Sequence, residues 1–420
     1  AAGQEGWNMN KTILKKYARL VVRMGVNIKK GQGALIMAET DQAEFALMVA
    51  EEAYKAGAKW VDMRWTNQSF TKLQLRKESL KTLSHTPEWE KARLQQQVED
   101  LPVRIWIDSE DPDGLKGVNV EKMQKANLAR AKVRKPYRDA MDNKHQWTIV
   151  AVPSVKWAKK VFPGMRSSAA VQKLWEAILE TVRVTKDNDP VEVWQAHNAA
   201  LKSRYEKLNA CNFRSMHYFS ENGTDFTCGL IPGAKWMGGG DTLLDGTFYN
   251  PNMPTEEIFT SPMKGEAEGT VVSTMPLSYQ GNLIENFSIT FKNGRAVSCR
   301  AEKGQALLEQ MLAMDEGAAQ LGELALIPHD SPISNLGILF YNTLFDENAA
   351  CHIALGAGFP NTVDGYENMT LEQVHEKGIN YLVIHVDFMI GDGTLNIDGI
   401  TADGRVVPVF RNGSWTEQFR

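Results

Sequence analysis

Long apolar runs are missing from this chain of 420 residues: no stretch of 18 or more exists, which excludes a membrane-spanning helix. Cysteine is scarce. Cys211, Cys228, Cys299 and Cys351 stand far apart and form no C-x-x-C, so buried free thiols are expected rather than disulfides. No G-x-G-x-x-G follows the first predicted strand, which leaves a dinucleotide site without support. The Gly-rich run Trp236–Asp241 lacks the Lys-Ser/Thr of a phosphate loop and reads as a flexible turn. The late segment GDGTLNIDGITADG lacks EF-hand spacing and its terminal Glu, and reads as serial β-turns. There is no internal repeat and no low-complexity tract. The N-terminus shows no charged-then-apolar signal pattern. Residues 1–8, AAGQEGWN, read as an expression scar before a start at Met9, and a cytoplasmic location is expected.

What is present suggests two unlike halves. With 43% apolar residues, the chain can bury a sizeable core and has the length of two domains. Net charge is −4, but residues 1–210 carry 36 of the 47 basic and 25 of the 51 acidic residues, a balance of +11. The remaining 11 basic and 26 acidic residues give −15. In the basic half, stretches such as EKMQKANLARAKVRK interleave both signs along a helical pattern. No DNA- or RNA-binding motif accompanies them, so a solvated helical face is expected and no nucleic-acid partner. An acidic cavity in the second half would favour a cationic ligand.

Periodicity separates the halves in the same way. Ile13, Leu14, Tyr17, Leu20, Val21 and Met24 recur at helical spacing. Ala34–Ala38, Trp60–Trp65, Arg104–Ile107 and Trp147–Val152 read as strands separated by helices, which predicts an α/β domain with a mainly parallel sheet over residues 9–212. Asp41 is expected to cap a helix that Gly57 ends. Strands and Gly-rich turns dominate residues 213–420, predicting a β-rich α+β domain. Within it, Asn286–Phe291 and Arg295–Arg300 flank an Asn-Gly turn, the signature of a hairpin.

Chemistry concentrates in the second half. In IHVDFMIG, His385 and Asp387 stand at i and i+2 of a strand, so both point to one face. Imidazole beside carboxylate is ligand chemistry for hydrolytic zinc, cobalt or manganese. His352 lies in DENAACHIALGAG, whose small residues permit close backbone approach. Glu323 sits within an apolar run, where an unpaired carboxylate is rare. Glu256 and Glu257 are adjacent, so in extended chain they point to opposite sides. His85, His145, His197 and His375 lie in polar surroundings and read as surface residues, while His217 and His329 are ambiguous.

The segments NMPTEEIFTSP, LGELALIP, NTLFDENAACHIALG and IHVDFMIG, together with WTIVAVPS, GTDFTCGL and DGITADGRVVPVFRNGSW, occur in order along the chain. They resemble the signature segments of the aminopeptidase T/aminopeptidase S family of bacterial two-metal exopeptidases, from about Met9 to the C-terminus. That resemblance implies a metal-dependent aminopeptidase acting on short peptides with a free N-terminus. It also implies a homodimer with a shielded site. It implies Glu257, Glu323, His352, His385 and Asp387 as ligands of two divalent ions of zinc, cobalt or manganese, with Glu256 as neighbouring group or base. The family has a tyrosine seven residues after the H-x-A-L-G histidine, and here that position is Phe359. Phe359 keeps the ring and loses a hydroxyl able to stabilise an oxyanion. A natural variant, a hydroxyl relocated to Tyr366, and an impaired site, which would leave a metal-retaining peptide-binding homologue, all remain open at this point.

Overall fold

The computed structural model describes residues 10–279, 282–380 and 384–420. Residues 1–8, expected to be an appended scar, lie outside the described residues. The chain divides into two compact units, residues 1–195 with 240–254, and residues 196–239 with 255–420. A boundary placed at residue 212 follows the change in periodicity. By packing, most of the helix Pro190–Cys211 belongs with the second unit, and residues 240–254 return to the first.

The first unit is built on a four-stranded, wholly parallel sheet. Its strands are β1 (Gly33–Glu39), β2 (Trp60–Thr66), β3 (Val103–Asp108) and β4 (Trp147–Ala151), in the order β2-β1-β3-β4. Residues 33–36, at the start of β1, are all buried, as expected for a parallel strand covered on both faces. Helix α1 (Lys11–Leu20) is capped by the Asn10 side chain and buries Leu14, Tyr17, Ala18 and Leu20. Helix α2 (Ala43–Lys55) ends before Gly57, whose φ of +101° suits only glycine. Asp41 does not cap α2. It falls inside a short 3₁₀ turn, Thr40–Gln42, which displaces the helix start to Ala43. Helices α3 (Gln68–Lys77), α4 (Leu80–Ser84) and α5 (Glu88–Asp100) follow β2, and α6 (Val120–Met141) links β3 to β4. No helix among the described residues is long and apolar enough to cross a membrane.

The second unit contains two sheets, mostly antiparallel by their pairing. Strands β5 (Phe213–Phe219), β6 (Asp225–Leu230) and β7 (Met237–Gly238) come first, and the return segment to the first unit carries β8 (Asp241–Thr242) and β9 (Phe248–Tyr249). The WMGGGD run is therefore more than a turn, since Met237 and Gly238 pair with a following strand. Then come β10 (Ile258–Thr260), β11 (Pro262–Val272), β12 (Leu277–Tyr279), β13 (Asn282–Lys292) and β14 (Arg295–Lys303). The Asn-Gly hairpin forms as expected: Lys292 pairs with Arg295, and Asn293 and Gly294 both take positive φ. β15 (Leu321–Leu326), β16 (His352–Gly356), β17 (His385–Met389), β18 (Asn396–Thr401), β19 (Val406–Arg411) and β20 (Ser414–Trp415) complete the unit. A nine-stranded sheet supplies most of the aromatic core, including Phe226, Phe287, Phe291 and Phe410. The five-stranded sheet runs β17-β16-β15-β10-β7. All four cysteines are free, and Cys228 and Cys351 are buried.

Close approach at the end of β16 fixes that sheet's edge. Gly356 has φ of +100°, and a Cβ there would stand 1.9 Å from the Ile384 carbonyl oxygen. Gly356 also pairs with His385. Gly356→Ala is expected to lower the unfolding free energy by about 1–3 kcal/mol. Denaturant unfolding measures this, and an unchanged midpoint would show that the edge yields without cost.

Candidate metal centre

Sheet register gathers the candidate ligands on one face. Glu323 of β15, Ala354 of β16 and Asp387 of β17 stand opposite one another across three neighbouring strands. Two residues before Asp387 comes His385, and two before Ala354 comes His352, so strand alternation turns both imidazoles to the same side. Ala354, between the two carboxylates, has only a methyl group and leaves space above the sheet. Glu257 immediately precedes β10, on the other side of β15.

The five residues fall into two overlapping groups. Glu257, Glu323 and His352 bring ligand atoms within 4.8 Å of one another, as do Glu323, His385 and Asp387. His385 Nε2 stands 3.2 Å from Glu323 Oε2 and 3.2 Å from Asp387 Oδ1. His352 Nε2 stands 3.6 Å from Glu257 Oε2 and 4.0 Å from Asp387 Oδ1. Glu323 belongs to both groups, and it and His352 are buried to 3% and 1% exposure.

Backbone carbonyls orient both imidazoles. His352 Nδ1 is 3.3 Å from the Ala350 oxygen, and His385 Nδ1 is 2.7 Å from the Ala357 oxygen. With Nδ1–H donating outward, Nε2 presents its lone pair to the cluster, the usual arrangement of a metal-bound histidine.

The electrostatics are those of a site lacking positive charge. Burial, and then the charge of Glu323, pushes the Glu257 carboxyl up to about 8. Burial also raises Glu323, against the hydrogen bond from His385. Burial opposes charge on His385, yet its bonds to Asp387 and Glu323 push it up to about 11. Burial likewise opposes charge on His352, but Glu323, Asp387 and Glu257 raise it. Asp387 moves down: the His385 bond and the imidazole charges overcome its burial. Its buried Oδ1 meets the two imidazoles at 3.2 and 4.0 Å. Inward imidazole nitrogens facing several carboxylates fit divalent cations.

One residue escaped the sequence reading. Glu347 lies in the 3₁₀ turn Glu347–Ala349, five residues before His352. Burial raises its carboxyl well above the ordinary range, and so do the charges of Asp387, Glu257 and Glu323. Its charge is felt by the cluster, although its carboxylate is not among the grouped ligand atoms. The D-E-N of NTLFDENAACHIALG was its only signal, and spacing alone gave it no face. Its neighbour Asn348 accepts a hydrogen bond at 2.8 Å from the Glu256 backbone N–H, tying this turn to the Thr-Glu-Glu segment.

Other candidates go elsewhere. The Glu256 carboxylate is not among the clustered ligand atoms. It is buried with Oε2 3.8 Å from His197 Nε2, and its charge also acts on Arg204. The expectation of a surface His197 therefore fails: its side chain is 10% exposed and Nε2 lies 2.8 Å from the Thr255 oxygen. His217 pairs with Asp225, and His329 lies 3.4 Å from the Ser334 hydroxyl. Phe359 does reach the centre, with its ring centroid 5.1 Å from that of His385 and 5.2 Å from that of Phe259. Tyr366 packs against a separate apolar cluster of Ile231, Val363, Val374 and Ile379.

Comparison with known proteins identifies the family of the whole chain. Residues 10–415 match the family described as thermophilic metalloprotease (M29). Aminopeptidase AmpS of Bacillus subtilis is 42% identical over 403 residues, covering 96% of this chain and 98% of that one. Aminopeptidase T of Thermus thermophilus is 38% identical over 403 residues, covering 96% and 98%. The solved structure of wild-type AmpT from Thermus thermophilus superposes with a TM-score of 0.89 at 37% identity, covering 97% of this chain and 99% of that one. With its parallel α/β unit, its β-rich α+β unit and this cluster of ligands, the chain belongs to the M29 metalloprotease family.

Proposed function

We propose that this protein is an aminopeptidase that removes the first residue from short peptides at a centre for two divalent ions. The supporting observation is the pair of ligand groups that share Glu323. Glu257 and His352 would hold one ion, His385 and Asp387 the other, with Glu323 between them. Bound there, zinc, cobalt or manganese would supply Lewis acidity and lower the pKa of water. The residues decide the rest. Ala350 and Ala357 keep the imidazoles aimed inward. The carboxylate excess of this region attracts the substrate's free ammonium group and so favours N-terminal bonds.

Glu347 is assigned the proton of the attacking water, which it passes to the leaving amine. Glu256 suits this role less, because its carboxylate faces His197 rather than the ligand group. The family resemblance extends the proposal to a cytoplasmic homodimer.

Metal dependence is the direct test. Chelation is expected to abolish release of N-terminal residues from aminoacyl-fluorophore substrates, and Co²⁺, Zn²⁺ or Mn²⁺ to restore it. Undiminished turnover by metal-free protein would end the proposal.

Glu347→Gln is expected to slow turnover by about 10²–10⁴-fold while metal content stays unchanged. Elemental analysis alongside kinetics separates the roles, since loss of metal in step with activity would make Glu347 a ligand instead.

A second reading rests on Phe359. Its ring lies against His385 with no hydroxyl to donate, so the centre can hold metal and peptide yet turn over slowly. Phe359→Tyr is then expected to raise kcat by about 10²–10³-fold. An unchanged kcat would remove the impaired-site account and leave the metals as sufficient.

A further inference from the structure

Polar residues interrupt the apolar stripe of the helix Pro190–Cys211. Leu201 and Leu208 are buried in the core of the second unit. His197 and Arg204 alternate with them at spacings of four, three and four residues, which puts all four on one face. Both polar side chains act on the segment Thr255-Glu256-Glu257. His197 Nε2–H donates to the Thr255 carbonyl oxygen at 2.8 Å and lies 3.8 Å from Glu256 Oε2. The charge of Glu256 favours the Arg204 guanidinium against its burial. Thr255 is itself buried, and a buried carbonyl is costly to leave without a donor.

The carbonyl of Thr255 and the N–H of Glu256 belong to one peptide unit. In a trans peptide these groups point to opposite sides of the chain. His197 holds the oxygen, and Asn348 Oδ1 holds the N–H at 2.8 Å. The plane is thus clamped at both poles. The next carbonyl is enclosed as well: a Cβ on Gly238 of β7 would stand 2.4 Å from the Glu257 oxygen. With the backbone fixed on both sides, the Glu256 carboxylate faces His197 and the Glu257 carboxylate faces His352.

We propose, on the two-ion reading above, that His197 is a positioning residue for the candidate metal centre. By holding this peptide plane it sets Glu257 opposite His352, and with it the affinity of that half of the centre. Glu323, His385 and Asp387 stand on β15 and β17 and are placed by their own strand pairings, so loss of His197 acts on one half only.

The test is titration of chelated, full-length protein with Co²⁺, followed by visible absorption and calorimetry. Wild-type protein is expected to take up two ions. His197→Leu keeps the bulk and removes the donor. It should weaken one ion by about 10–100-fold and leave the other unchanged. His197→Gln offers an amide N–H in place of the imidazole Nε2–H and should recover most of that loss. Glu257→Gln marks the half concerned, so the double variant should bind no more weakly than Glu257→Gln alone. If His197→Leu does not fold, His197→Asn, whose amide stops short of Thr255, replaces it with the same expectations. Equal weakening of both ions, or a loss that adds to that of Glu257→Gln, would make His197 a general support of the fold and overturn the proposal. Two ions bound unchanged by His197→Leu would overturn it too, as would failure of His197→Gln to recover binding. Uptake of a single ion by wild-type protein would end the two-ion reading instead. His197 then keeps its role only if His197→Leu weakens that ion and His197→Gln restores it. Uptake of no ion would end both.

Discussion

The second unit is organised around one unfavourable fact: the carboxylates of Glu257, Glu323 and Asp387 share a buried neighbourhood with two imidazoles, and Glu347 is coupled to them electrostatically. Isolated ionised carboxylates cost several kcal/mol each to bury, and like charges within a few ångströms add to that cost. Glu257, Glu323 and Glu347 all respond with raised pKa values, and only Asp387 is lowered. The surrounding sheet tolerates the strain because it is otherwise apolar: all six residues of β15 and all five of β16 are buried. Rigid strands hold the carboxylates in place when the charges would separate them.

Register explains why this centre is only partly legible from sequence. His385 and Asp387 could be placed side by side because strand alternation is a local rule. That Glu323 and Asp387 flank Ala354 depends on pairings spanning dozens of residues, which no spacing reveals. Glu257, Glu323 and His352 are named as ligands by the resemblance, not by periodicity, and the fold brings their ligand atoms within 4.8 Å of one another. Glu347 and His197 were harder still. A 3₁₀ turn has no usable period, and a histidine on a long polar helix looks like a surface residue. Only the tertiary fold shows that His197 meets the Glu256 carboxylate.

Adjacent glutamates illustrate how extended chain divides labour. Glu256 and Glu257 share a peptide unit, yet one faces His197 and the other faces His352. The Asn348 side chain holds the Glu256 backbone N–H from the turn that carries Glu347. Thus a single buried asparagine ties the Thr-Glu-Glu segment to the Asp-Glu-Asn turn, and a displacement of either moves a carboxylate at the cluster. Geometry in such a site must hold to a fraction of an ångström, which explains why the supporting amide is itself 1% exposed.

The charge imbalance between the two halves of the sequence acquires a structural meaning at both ends. In the second unit, negative charge is concentrated and its most buried part is arranged to meet cations. In the first, arginines on one helix face pair with Glu90 and stay partly exposed to solvent. Only the second is a region where buried groups of one sign are left uncompensated by the chain itself. Uncompensated burial lowers stability, so its persistence in a folded protein points to a ligand of opposite sign. Five candidate ligand residues and two oriented imidazoles meet at the candidate metal centre.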